Sequence, residues 1–127
     1  MLAAALLVAA CHTDSPTRTE DVTVWLPRGR WTGRELLQTD PFSSATGLLR
    51  VTWQSRSLSP AAGTLRIVLH SDVSGRSLAP VVEQQGPGSG MKYITEDPRA
   101  FFLVIESKNL EWAVEVAEGV PATRSIK

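Results

Sequence analysis

The chain has 127 residues, 43% of them hydrophobic, with 13 basic and 13 acidic side chains in balance. That length makes one domain able to bury a core. The zero net charge gives no support for nucleic-acid binding, which needs a basic face, and supplies no polybasic patch for anionic lipid. A single cysteine, Cys11, excludes an intramolecular disulfide.

Residues 1–10, Met-Leu-Ala-Ala-Ala-Leu-Leu-Val-Ala-Ala, contain no polar side chain. They are too few to cross a bilayer as a helix, which takes about 20 residues. They have the length of a signal-peptide apolar region, although no Lys or Arg precedes them. Val8-Ala9-Ala10-Cys11 resembles the bacterial lipobox: a branched apolar residue, two small ones, then the cysteine. The resemblance implies cleavage before Cys11, diacylglycerol on its thiol and a further acyl chain on its new amine. Two or more chains give stable anchoring. It implies an exported protein, lipid-anchored to a bacterial membrane in the cell envelope. His12 in place of Asp permits the outer membrane in bacteria that sort by that position. The competing reading is an apolar N-terminus with an unmodified thiol; lipidation is favoured because Cys11 falls where the apolar run stops. Residues 11–21 are then the lipidated Cys and a flexible tether, with no apolar side chain to join a core.

From Val22 the period is two. Val22–Leu26 and Arg34–Gln38 are weaker strand candidates, with Pro27-Arg28-Gly29 as a turn between them. Leu49, Val51 and Trp53 alternate with Arg50, Thr52 and Gln54, which predicts a half-buried strand. Leu65, Ile67 and Leu69 repeat the pattern. Leu78–Gln84 contains Pro80, which favours an edge strand or a bulge. Ala100–Ile105 is continuously apolar and suits a central strand covered on both faces. Leu110, Trp112, Val114 and Val116 alternate with Glu111, Ala113, Glu115 and Ala117. Turn signals separate these runs and no segment has helical spacing. The prediction is an all-β protein, a single antiparallel β-sandwich of about seven or eight short strands. The domain spans 22–118, and 119–127 is a frayed tail with Pro121 as a stop.

Arg50-Val51-Thr52-Trp53, Gly63–Leu69, the Gly-rich run Gly86–Gly90 leading to Tyr93, and the paired ending from Phe101 to Val116 form a set. Together, from Gly47 to Glu118, they resemble a small exported bacterial β-sandwich module of CUB-like or jelly-roll type. Pro98-Arg99 stands where that module has Pro-Gly. The resemblance covers a little over half the chain. It implies the sandwich and a place among secreted and cell-wall-associated proteins, without an activity.

The residues speak mostly by exclusion. His12 lies in the tether, and His70, Ser71 and Asp72 are consecutive, so their side chains cannot converge as a triad. One anchored histidine cannot hold zinc. Asp72 with Ser74, and Glu96 with Asp97, are ordinary turn chemistry rather than a calcium loop. Glu111 and Glu115 share a strand face and read as solvated surface. Gly86-Pro87-Gly88-Ser89-Gly90 lacks the Lys-Ser/Thr of a phosphate loop and reads as a hairpin loop. No catalytic residue, metal site or cofactor is expected.

The four tryptophans divide in two. Trp53 and Trp112 are in phase with apolar faces and belong to the core. Trp25 and Trp31 flank the basic stretch Pro27-Arg28-Gly29-Arg30. Either both pack over a sheet edge, or Trp25, Arg28, Arg30 and Trp31 form a ligand-binding patch for a sugar ring or a protein partner. The expected function is a non-catalytic binding or interaction module, monomeric and tethered by lipid, whose partner is an envelope protein or glycan. The alternatives are a structural envelope lipoprotein without a discrete ligand, and an envelope-polymer hydrolase.

Overall fold

A computed structural model describes residues 18–126. The apolar segment 1–10, Cys11 and residues 12–17 of the expected tether lie outside the described residues. Nine strands run in chain order: β1 (Arg18–Gly33), β2 (Leu37–Gln38), β3 (Phe42–Ser44), β4 (Leu48–Ser57) and β5 (Thr64–Ser71). They are followed by β6 (Ser77–Gln85), β7 (Gly88–Thr95), β8 (Arg99–Lys108) and β9 (Leu110–Ile126). One sheet has the order β1-β9-β4-β7. The other has the order β2-β8-β5-β6, with β3 also pairing β8. Every pairing is antiparallel. The protein is an all-β sandwich of these two sheets.

Alternation places the core. Leu49, Val51 and Trp53 of β4 and Leu110, Trp112, Val114 and Val116 of β9 point inward from the first sheet. Leu65, Ile67 and Leu69 of β5 and Phe101, Leu103 and Ile105 of β8 meet them from the second. Fully burying one such side chain contributes about 1.5–3 kcal/mol, and together they fasten the two sheets. The chain passes between sheets through short corners. Only Gly86-Pro87 separates β6 from β7, and only Asn109 separates β8 from β9. Asn109 takes the left-handed conformation (φ 54°), and its amide donates to the Ser59 and Ala61 carbonyls.

Several expectations from the sequence change. Pro27-Arg28-Gly29 is not a turn: β1 runs through it with a bulge between Pro27 and Gly29. Because β9 offers a partner along the whole length, an extra residue is absorbed without ending the ladder. Of Arg34–Gln38 only Leu37 and Gln38 are strand. The residues from Gly119 are not a frayed tail but the second half of β9, paired with β1 out to Arg18–Ile126. Pro121 does not stop it. The last β4–β9 pair is Leu49–Glu118, and beyond it β9 has a free edge where a missing N–H breaks no ladder. Arg18–Asp21, expected in the tether, are likewise strand. β8 is central in its sheet, yet among the described residues no layer covers its second face; Phe102 is buried there under the stacked His70 ring instead, centroids 5.0 Å apart. Pro80 sits on an edge strand at a register shift, as its missing donor requires.

Candidate functional site

The bulge at Arg28 decides what β1 presents. Side chains alternate between faces, so one inserted residue exchanges the faces of everything beyond it. Trp31 lies opposite Val114, whose side chain is in the core, and so points inward. It packs on Phe42 with ring centroids 5.8 Å apart. Gly29 lies under its ring; a Cβ there would meet a ring carbon at 2.2 Å. Trp25 lies opposite Gly119, one residue out of phase with inward-facing Glu118, and points outward. The structure therefore does not bring Trp25 and Trp31 together.

Arg28 is drawn away as well. Glu118 is in phase with Val114 and Val116 on the inner face, and only 1% exposed. Its carboxylate accepts from Arg28 through Nε (3.1 Å) and Nη2 (2.6 Å). It also accepts from Ser44 Oγ (2.5 Å), the Thr46 N–H (3.0 Å) and Thr46 Oγ1 (3.3 Å). Burial pushes this carboxyl up. Hydrogen bonds from Ser44, the Thr46 N–H, Arg28 and the Ala45 N–H outweigh it and bring the pKa down to about 2. The network ties the bulge of β1 and the β3–β4 corner to β9. A carboxylate with its lone pairs so fully occupied is a structural bolt, not a free acid or base.

The outer face of the first sheet is different in kind. Ala117, Arg50 and Tyr93 are neighbours in register across β9, β4 and β7. All three face outward, since Val116 and Val51 beside them are in the core. Ala117 and Gly119 make low ground on β9. Across it the Trp25 side chain reaches Arg50, whose guanidinium carbon lies 4.7 Å from the indole centroid, and Tyr93, centroids 5.4 Å apart at 52°. The contact between guanidinium and indole is a cation–π pair, worth roughly 0.5–2 kcal/mol. Among the described residues no carboxylate pairs with Arg50. Its Nε is buried without a hydrogen-bond partner. Tyr93 and Met91 are 58% and 49% exposed. Next to this cluster is an open depression of about 420 Å³, bounded by Arg30, Thr52, Gln54, Ser89, Met91 and Glu115. It adjoins a smaller one of about 320 Å³ that reaches Arg56 and Glu111.

Of the four residues singled out in the sequence, Trp25 and Arg30 line this outer face, Arg28 serves the buried carboxylate, and Trp31 packs on the core. Arg50 and Tyr93 went unnoticed because only the register across β9, β4 and β7 puts them beside Trp25. Glu118 left a signal: it continues the Leu110-Trp112-Val114-Val116 series by one more step of two, an acid on an apolar face. His70 holds its own hairpin, with Nδ1 3.1 Å from the Gly75 carbonyl. Gly90 is explained by the core, since a Cβ there would meet the Trp53 ring at 2.3 Å. Among the described residues no group of His, Cys, Asp and Glu is arranged to hold a metal ion. No protein-family model matches the chain, and no curated protein is similar to it in sequence.

Proposed function

We propose that the protein is a non-catalytic binding module, held at a bacterial cell envelope by a lipid on Cys11. Its binding surface is the outer face of the β1-β9-β4-β7 sheet. One observation carries the reading: half-buried Trp25 and exposed Tyr93 and Met91 are grouped around Arg50 on a sheet face that no other described element covers, next to an open depression. Accessible aromatics beside an arginine are the residue types that anchor ligands and partners. The lipobox-like Val8-Ala9-Ala10-Cys11 and the likeness to exported CUB-like or jelly-roll modules support the location. An envelope-polymer hydrolase is disfavoured on this face. Glu111 and Glu115 stand four residues apart on one strand, so their Cα atoms are roughly 13 Å apart, while paired carboxylates of glycosidases work at roughly 5–10 Å. Glu111 is also bound to Arg56 at 2.6 Å.

Two measurements test the proposal. Intact mass of the membrane-fraction protein should show loss of residues 1–10 and added acyl mass, both abolished by Cys11→Ala; an unprocessed soluble chain defeats the anchoring. Capture of an envelope component should be lost with Trp25→Ala and retained with Lys108→Ala on the other sheet; equal loss or no loss defeats the binding face.

A further inference from the structure

Arg50 is a half-buried cation that has no carboxylate partner among the described residues. Its neighbours in register, Ala117 and Tyr93, are uncharged, as are Leu48 and Thr52 next to it on its own side of β4. Glu118, next to Ala117, faces inward to Arg28, and Glu115, opposite Thr52 on the outer face, makes no ion pair among the described residues. By contrast Arg28, Arg56 and Arg66 all have carboxylate partners. Partial desolvation of an unpaired charge is costly, and a ligand that brings the missing anion recovers that cost. A guanidinium over an indole can still offer its Nη N–H donors to a planar carboxylate through two parallel hydrogen bonds.

We propose that the Trp25–Arg50–Tyr93 cluster takes a carboxylate-bearing sugar unit of an acidic glycan, ring against the aromatic surface and carboxylate on Arg50. This deepens the reading of the outer sheet face as the binding surface and rests on it. Three features favour a glycan. The polar part of the depression's lining (Thr52, Gln54 and Ser89, with Arg30 opposite Glu115) offers donors and acceptors suited to hydroxyls. It is open and crosses the four strands at the level of Arg30, Glu115, Thr52 and Met91 rather than closing around a compact ligand. From Arg50 to Arg56 the face extends roughly 20 Å, room for several sugar rings in a row.

The test uses residues 11–127, the chain expected after cleavage, with Cys11→Ser to remove the lipid site and leave the face untouched. The probes are peptide-free glycan strands of alternating N-acetylglucosamine and N-acetylmuramic acid, and chito-oligosaccharides of equal length. The second keeps the backbone and lacks the lactyl carboxylate. By calorimetry the acidic strand should bind at least about tenfold tighter, the scale of one recovered charge contact. Arg50→Gln should erase that preference. Trp25→Ala should abolish both interactions, with Tyr93→Ala serving should the Trp25 variant fail to fold. Equal affinity of the parent chain for both probes overturns the carboxylate assignment and leaves the face standing if Trp25→Ala still abolishes binding. No affinity for either probe, with Trp25-dependent capture of another envelope component, overturns the glycan and again leaves the face. Binding indifferent to Trp25 and Tyr93 overturns both.

Discussion

Arg28 and Arg50 lie on neighbouring parts of the same sheet and have opposite circumstances. Arg28 turns toward the sandwich interior and shares a buried carboxylate with Ser44 and Thr46. Arg50 turns outward, lies on an indole, and has no ion-pair partner among the described residues. A charge whose partners are all supplied by its own chain belongs to the architecture. A charge left incomplete on an exposed aromatic face points to a partner from outside. The second sheet's outer face supports the distinction. There Arg66 and Glu106 pair at 3.5 Å and His70 stacks on Phe102, so this arginine and this aromatic pair have partners within the chain.

The comparison is broken most severely at Glu118. Replacing it with Ala leaves Ser44 and the Thr46 N–H without an acceptor and should cost about 4 kcal/mol. That corresponds to a fall in Tm on the order of 15 °C. If the thermal midpoint barely moves, the bolt is not structural. Acid should reproduce part of this loss. The folded pKa of Glu118, about 2, lies below the ordinary 4.5, so its contribution is whole above pH 4.5 and is lost as pH falls toward 2. Urea unfolding of the parent chain and Glu118→Gln at pH 7 and pH 2 should show the gap between them narrowing in acid.

The two tryptophans of β1 sharpen the contrast at an intermediate scale. Trp31→Ala empties a space against Phe42 and should cost about 3 kcal/mol in chemical denaturation. Trp25→Ala removes an outer-face contact and should cost no more than about 1 kcal/mol. Equal losses would mean that Trp25 is structural. The smallest effects separate the arginines themselves. Arg28→Gln should cost about 1 kcal/mol, moderated by its partial exposure. Arg50→Gln loses the indole contact but also removes an unpaired, half-buried charge, so stability should change by less than about 0.5 kcal/mol while binding changes.

Much of the architecture was legible in the chain. The apolar series of β4, β5 and β9 announced their inner faces, because a half-buried strand needs a period of two. Pro80 marked an edge, because proline cannot serve two ladders. Trp53 and Trp112 were recognisable as core from their phase alone. The boundaries were less legible. Pro27-Arg28-Gly29 has turn composition, and only the continuous partner strand converts it into a bulge. Pro121 looks like a stop, and only the end of β4 at that level makes it harmless.

The candidate site marks the same division. By itself the sequence determined that this is an all-β domain whose single cysteine allows no intramolecular disulfide, and that Trp25 and Trp31 needed an explanation. Those properties follow from composition and local periodicity, which each segment carries within itself. Only the tertiary structure decided that a one-residue bulge sends the two tryptophans to opposite faces, that Glu118 claims Arg28, and that Arg50 and Tyr93 join Trp25. These depend on the register between strands distant in the chain, and a shift of a single residue exchanges every side chain between the core and the outer surface.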